Sequence, residues 1–534
     1  MTVTVKAAPR RTKSAGPSVS KILMLCIFAG ILIIPIIRML MYITPEGLRK
    51  VFGSPVIGSV LVNTLSVTAV ATVITVVIAY LLAYCIERTA IKFKGILRII
   101  LILPMLMPSI SHGMGLILLF GNNGIITNML GLKTNIYGFQ GIVFGSVLYA
   151  FPVAFMMLSD VMRYEDGSPY EAAKVLGIPK WRQVTAITLP FMRKPMISVV
   201  FATFTMIVTD YGVPLMVGGK FKTLPVVMYQ EVIGQLNFDT GCVYGAILLL
   251  PAVIAFIVDI INKDRGNSVF VIKPIEPARG KFTLVLSSVY TWLIAAMTLL
   301  PIVSFIVLGF TKNYPTDMSF SLGNIQKVLD LKGGDYLLNS IIIALFVAVI
   351  GSMIGFVAAY LTARSSTVLS KLLHLITITA MAVPGIVLGL SYVIVFNGSF
   401  IYGTLAILIM ANVVHFIASP YLMMYNSMSK INCNIESVGE TLGIGRLRLI
   451  KDVFLPQSLP TLAEMFSYFF VNSMMTISAV SFLARTSTKP ISLMINQFEA
   501  QMQLENAAIV SLTILAVNLM IKGIVALIKR KSAV

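Results

Sequence analysis

Glu171-Ala172-Ala173-Lys174-Val175-Leu176-Gly177-Ile178, with Leu189-Pro190 downstream, is written into this chain twice. The second copy reads Ser437-Val438-Gly439-Glu440-Thr441-Leu442-Gly443-Ile444, with Leu455-Pro456 at the same distance. The offset from Gly177 to Gly443 is 266 residues, and each copy sits between long apolar segments. A membrane protein that repeats one polar loop at the same depth in two halves offers two docking points to something in the water phase. That pattern favours a pump driven from outside the membrane over a passive channel.

The apolar surroundings follow from composition. Of 534 residues, 57% are hydrophobic and only 12% charged, with a mean hydropathy of +0.92; a soluble chain carries roughly twice that charged fraction. About 20 apolar residues span a bilayer. Twelve such stretches are expected: 22–43, 57–86, 96–120, 141–160, 195–216, 241–262, 283–310, 337–362, 371–396, 402–426, 458–483 and 506–528. Lipid offers the backbone no hydrogen-bond partners, so these are helices, and the short alternating strands of a barrel are missing. The fold expected is an all-α polytopic membrane protein of about twelve spans. The net charge of +20 does not indicate nucleic acid. Lys and Arg concentrate in one set of inter-span segments, including Lys6, Arg10, Arg11, Lys13 and Lys21 at one end and Lys529-Arg530-Lys531 at the other. This is the positive-inside pattern, and it predicts cytoplasmic N- and C-termini.

The repeat extends beyond the loop. Asn63-Thr64 matches Asn339-Ser340, Ala83-Tyr84 matches Ala359-Tyr360, Arg88-Thr89 matches Arg364-Ser365, and Pro108 matches Pro384, all at an offset of 276 (Arg88 to Arg364). The ten-residue change in offset fits a longer loop in the first half (121–140) than in the second (397–402), a change that costs little at a surface. Six spans per half make the two halves parallel repeats, which place a pathway at their interface. The expected organisation is a basic tail (1–21), a first module (22–262), a linker (263–282) that reads as an ordinary exposed connection, a second module (283–528) and a short tail (529–534).

Within the loop, Pro169 starts a short helix, and Glu171 in its first turn suits the helix dipole. Gly177 ends that helix and Pro179 blocks continuation. Trp181, Val184 and Ile187 are placed to pack a second helix, which Pro190 closes. Glu-Ala-Ala, three residues, Gly, and a distal Leu-Pro resemble the signature loop of binding-protein-dependent ABC importers. The chain resembles their type I permease subunit in fused, two-module form over roughly 57–262 and 337–528. The second copy departs from the pattern: Ser437 replaces the glutamate, and Glu436 and Glu440 are the neighbouring acids that stand in for it. The resemblance implies that 166–179 and 432–445 dock on two copies of a cytoplasmic ABC ATPase, with Glu171, Ala172, Ala173, Gly177, Pro190, Glu436, Glu440, Gly443 and Pro456 as coupling residues. It also implies an extracytoplasmic solute-binding protein as partner. No Gly-x-x-x-x-Gly-Lys-Ser/Thr phosphate loop is present; Gly218-Gly219-Lys220 is followed by Phe221 and lacks the earlier glycine. ATP is therefore expected on the partner, with no cofactor in this chain and no enzymatic activity of its own.

Arg38 and Asp210 are the main charges inside expected spans, where an ionised group costs about 2.5–3.5 kcal/mol. Arg38 is expected to snorkel outward. Asp210 leads Tyr211-Gly212-Val213-Pro214, a broken helix, and two readings stay open: a pathway or gate residue with Tyr211 and Gly212, or a cap on the break. The histidines (His112, His374, His415) are expected in helix–helix hydrogen bonds, and the four scattered cysteines form neither a metal site nor a disulfide framework. An ion-gradient transporter is the rival reading, but it calls for more intramembrane charge. For cargo, the resemblance points to the subgroup importing ferric iron, thiamine or phosphonates such as 2-aminoethylphosphonate, with phosphonate preferred and Lys220 and Lys222 suited to an anion.

Overall fold

The computed structural model describes residues 18–131, 135–262, 273 and 275–532, without the side chains of Lys180, Lys531 and Ser532. Lys6, Arg10, Arg11, Lys13 and most of the 263–282 linker, with Gly266 and Pro274, lie outside the described residues.

The described residues are mainly helical, with one two-stranded hairpin among them (Thr311–Asn313 and Asp317–Phe320). Among the described residues nine helices are long and apolar enough to cross a membrane, eleven if each of two bent pairs counts as one span. The remaining expected span, 458–483, is the less apolar helix Leu455–Met475.

Several expected spans are not single helices; 402–426, for one, divides into Leu405–Phe416 and Ala418–Lys430, bent by 53°. The stretch 96–120 divides into Lys94–Ile102 with a 3-10 turn to Leu106, and then Ser109–Phe120. The stretch 371–396 divides into Val368–Ala382 and Gly385–Phe396, bent by 107°. The prolines at the two breaks have matching extended backbones, φ −57 and ψ 147 at Pro108 and φ −58 and ψ 139 at Pro384. A proline lacks the N–H a helix needs and clashes with the preceding turn, so each repeat breaks at its matched proline.

The second spans, Ile57–Arg88 and Gly333–Ala363, have no interior proline. They run unbroken for 32 and 31 residues in bundles where Pro152, Pro195, Pro251 and Pro460 lie inside other helices. In the second module the glycines of this helix are packing devices. A Cβ on Gly351 would lie 2.6 Å from the Phe469 ring, and one on Gly355 would lie 2.8 Å from the Met465 methyl.

The first spans cross over. Ser18–Met41 packs against Val368–Thr379 and Gly385–Phe396 of the second module, while Lys281–Gly309 packs against Lys94–Ile102 and Ser109–Phe120 of the first. Each crossing is pinned at a matched place. Buried Lys21 donates to Ser365 Oγ (2.7 Å) and Thr367 Oγ1 (3.1 Å). On the other side Ala278, just before the second crossing helix, donates to Arg88 O (2.8 Å) and accepts from Ala90 N (3.0 Å). Ser365 and Thr89 are repeat partners. The described part of the linker is mostly exposed, and its end pairs with the first module through Ala278. Ile31 O in the first crossing helix, the carbonyl that Pro35 cannot serve because it has no N–H, accepts from Tyr392 Oη at 2.7 Å.

Candidate coupling elbows and gate

The repeated loops form two elbows of the same shape. The helices Ser168–Val175 and Ile435–Thr441 end on Gly177 (φ +66) and Gly443 (φ +67). In the first, Ile178 N donates to Ala173 O (2.9 Å) and Gly177 N to Lys174 O (3.1 Å); in the second, Ile444 N donates to Gly439 O (2.8 Å) and Gly443 N to Glu440 O (3.2 Å). This paired 6→1 and 5→2 closure requires a left-handed residue at the glycine. A Cβ on either glycine would meet nothing within 4 Å, so the demand for glycine is one of backbone conformation alone.

The Leu-Pro element acts differently from expectation. Pro190 and Pro456 do not close a helix. Each sits in the first turn of a span (Leu189–Val208 and Leu455–Met475) directly after a five-residue π-turn, Val184–Thr188 and Ile450–Phe454. A proline cannot donate to the carbonyl four residues back; the widened turn absorbs that defect and the helix runs on. Trp181 and Val184 do not pack inward either: they are 64% and 53% exposed.

The two elbows present matched apolar tips. Leu176 (73% exposed) corresponds to Leu442 (67%), and Trp181 (64%) to Leu447 (84%). Large apolar side chains projecting together from a polar loop mark an interaction surface.

Arginines from the ends of the second spans hold the elbows from behind. Arg88 forms an ion pair with Glu165, whose side chain is 4% exposed. Glu165 also accepts from Tyr170 Oη at 2.5 Å. Burial and this hydrogen bond hold the Tyr170 phenol above its ordinary range, and the same hydroxyl contacts Thr188 Oγ1 at 2.8 Å. In the second module Arg364 grips Glu436 through Nε (2.6 Å) and Nη2 (2.5 Å) and donates to Met428 O (3.3 Å), Ile431 O (2.8 Å) and Asn432 O (2.8 Å). Glu436 is therefore an inward anchor with a 13% exposed side chain, while Glu171 faces outward, 54% exposed, and pairs with Lys273 at 2.6 Å. Glu440 lies beside Arg446 at 3.5 Å. Ala173 and Gly439 are buried at the same position, and the space a Cβ would take at Gly439 is filled by Leu449 (2.5 Å). The repeat partner of Leu449 is Gln183, which instead donates to Ile178 O at 2.7 Å. Arg88, Arg364, Glu165 and the exposed leucines were legible only as matched or nearby positions, without a role.

At the other face, Asp210, Tyr211 and Gly212 come together with the second module. Asp210 accepts from Gly212 N (3.3 Å), Val213 N (3.0 Å) and the Ser109 hydroxyl, so it caps the break. Tyr211 is fully buried, bonds Ser481 Oγ across the module interface at 2.6 Å and stacks on Tyr229 at 5.1 Å; Tyr229 in turn stacks on Phe482 at 6.1 Å. A Cβ on Gly212 would lie 2.3 Å from Ser109 Oγ, and one on Gly385 would lie 2.4 Å from Ser478 Oγ. Ser109 and Gly385 are repeat partners, as are Gly212 and Ser478, so the same close contact recurs with serine and glycine exchanged.

The histidines are separate. His374 Nδ1 is 2.6 Å from Tyr421 Oη on another helix. His112 Nδ1 is 3.2 Å from Pro108 O of its own segment, and its ring meets the edge of Tyr149. Buried His415 Nδ1 has no hydrogen-bond partner among the described residues. No group of three metal-ligating side chains occurs among them. Arg38 is exposed near the end of its span.

The family profile of the binding-protein-dependent transport system inner membrane component matches this chain twice, over residues 76–263 and 351–534. The chain belongs to that family. It is a two-module ABC importer permease, a multi-pass inner-membrane transport subunit. The ferric transport system permease protein FbpB of Actinobacillus pleuropneumoniae is 26% identical over 83% of this chain and 67% of its own length. The molybdenum transport system permease protein ModB of Azotobacter vinelandii is 27% identical over 36% of this chain but 88% of itself, so that one module here corresponds to a whole permease there. The thiamine transport system permease protein ThiP of Escherichia coli is 28% identical over 29% of this chain. Both elbows, and the hairpins 212–229 and 477–500 that follow the helices Leu189–Val208 and Leu455–Met475, lie inside the matched stretches.

Proposed function

We propose that the permease forms the translocation pathway of an ATP-driven importer whose elbows face the cytoplasm. There the elbows dock on two copies of an ATPase, and the opposite face receives cargo from a solute-binding protein. The observation that carries this reading is the pair of elbows: the same glycine closure in both modules, each projecting Leu176 and Trp181 or Leu442 and Leu447 into solvent. An apolar knob on a rigid turn, held from behind by a buried arginine–carboxylate pair, transmits force without bending. The Tyr211–Tyr229–Phe482 stack and the Tyr211–Ser481 hydrogen bond close the module interface at the other face, and opening the pathway separates them. Leu176→Ser with Leu442→Ser should leave a folded permease that no longer binds the ATPase; wild-type ATPase binding by that variant refutes the docking assignment.

The cargo proposed is a small anion, with 2-aminoethylphosphonate the preferred candidate. The two outer hairpins carry exposed Lys220, Lys222 and Arg485, and Lys489 beside them. Ferric iron is the second reading, favoured by the names of the relatives that align with most of the chain. Uptake by the reconstituted transporter, with phosphonate and ferric iron supplied in turn to the partner binding protein, separates the two.

A further inference from the structure

Each second span is pinned at both ends, and the pins repeat. At the elbow end, Arg88 and Arg364 hold Glu165 and Glu436. At the far end, Asn63 Nδ2 donates to Lys222 O at 3.2 Å, and buried Thr64 Oγ1 accepts from Leu224 N at 2.8 Å. In the second module Asn339 Nδ2 donates to Ser487 O (3.0 Å) and Lys489 O (3.3 Å), and buried Ser340 Oγ accepts from Ile491 N at 2.8 Å. These five carbonyl and amide groups belong to the hairpins that follow Tyr211 and Ser481, the elements that meet at the gate. Thr64 precedes Arg88 by as many residues as Ser340 precedes Arg364. At 1.5 Å per residue that is about 36 Å, enough to cross the hydrocarbon core.

We infer that the second span of each module is a push-rod that carries elbow displacement to the outer hairpin, with Asn63, Thr64, Asn339 and Ser340 as its positioning residues at the gate. The helix suits the task. It has no interior proline, whereas the hairpin-bearing spans contain Pro195 and Pro460, and sharp bends in helices arise mainly at prolines. The hairpins, in contrast, are short helices joined by turns (Gly212–Val217, Leu224–Tyr229), and without the pins their main-chain amides would have no tie to the rod. Two independent copies of the arrangement, with Thr exchanged for Ser, argue that the hydroxyl and the amide are the required groups.

This inference rests on the docking and gating roles proposed above, and the test separates the two. The permease is assembled with its ATPase and binding protein in nanodiscs, and distances between spin labels on Lys220→Cys and Arg485→Cys are measured with ADP and with trapped ATP, in a background lacking the native cysteines. In the pinned protein the label distance is expected to change on ATP trapping. Asn63→Ala/Thr64→Val with Asn339→Ala/Ser340→Val should bind the ATPase as the parent does, yet lose that change and lower uptake about tenfold, within the usual range of coupling between distant sites. Thr64→Ser with Ser340→Thr, which keep the hydroxyls, should restore both. If the valine variant does not assemble, Asn63→Ala with Asn339→Ala alone is used, since both side chains are only half-buried; a reduced label shift is then expected. An unchanged shift and unchanged uptake in the pin variants overturn the push-rod. Absence of any ATP-dependent shift in the parent protein overturns the gating role instead.

Discussion

The two elbows share a shape and differ in wiring. Both close on a left-handed glycine with the same pair of hydrogen bonds. In the first, the arginine of the second span reaches a glutamate that precedes the elbow helix, and Tyr170 shares the load; in the second, the arginine reaches Glu436 inside the helix and three backbone carbonyls besides. The lesson is that the position of the turn is constrained while its fastening is free to migrate. A carboxylate one turn away serves equally well, provided the arginine stays at the end of the rod.

The sharpest way to break this comparison is to remove the arginines. Arg364→Ala takes from Glu436 both of its charged hydrogen bonds and leaves a nearly buried carboxylate, which should cost about 3–5 kcal/mol locally. Arg88→Ala should cost less, because Glu165 keeps the Tyr170 hydroxyl. Thermal unfolding and protease cleavage near 431–434 read the difference. The double variant Arg364→Ala/Glu436→Ala should be milder than Arg364→Ala alone. A larger loss at Arg88 would show that the fastening of the first elbow is the stronger one.

The next effect lies in packing behind the turn. Gly439→Ala forces a Cβ against Leu449, an overpacking that typically costs about 1–3 kcal/mol. The first elbow holds the reciprocal solution, Ala173 with Gln183. Gly439→Ala/Leu449→Gln recreates that pair, and its unfolding midpoint should recover most of the loss. No recovery would mean that the two elbows do not pack by interchangeable rules.

Gly177→Val and Gly443→Val probe what the elbows have in common. Nothing crowds either position, so the cost is the left-handed conformation itself, about 1–2 kcal/mol, and it should be alike in both modules. Substitution by asparagine should be milder. The valine variants are expected to fold and yet lose ATP-coupled uptake; normal uptake by both refutes the role of the turn in coupling.

Much of this was readable in the residues. The matched pairs Asn63-Thr64 and Asn339-Ser340, Arg88 and Arg364, and Pro108 and Pro384 marked the right places, because a repeated fold keeps the residues its backbone needs. Their partners were not readable. Glu165, Leu224 N and Ile491 N are brought in by tertiary contact, and the partners of the two arginines do not share the repeat offset. The broken helix at Pro384 was hidden by uniform apolarity, which reports burial in lipid and not helix continuity. Trp181 read as a packing residue and the leucines carried no role, because an apolar side chain carries no sign of which surface it faces; only their projection in the folded elbow tells.

The smallest expected effect concerns the one fastening the second elbow lacks among the described residues, the linker. Asp166 Oδ1 accepts from Lys273 N (3.1 Å), Gly167 N donates to Lys273 O (2.7 Å), and the Lys273 ammonium meets Glu171. The carboxylate holds that ammonium above the usual lysine range. A raised lysine contributes fully below its ordinary value and loses its contribution only as pH rises through the raised one, so linker docking should not vary between pH 6 and 9. Salt should act instead, because both charges are half-exposed and the screening length falls from about 8 Å to about 3 Å between 0.15 M and 1 M. Hydrogen exchange at Gly167 reads the contact. Lys273→Gln should change its protection little, since the backbone pair remains, whereas Asp166→Ala should expose it. Equal exposure in the two variants would make the ion pair, and not the main-chain pairing, the fastening that distinguishes the first elbow.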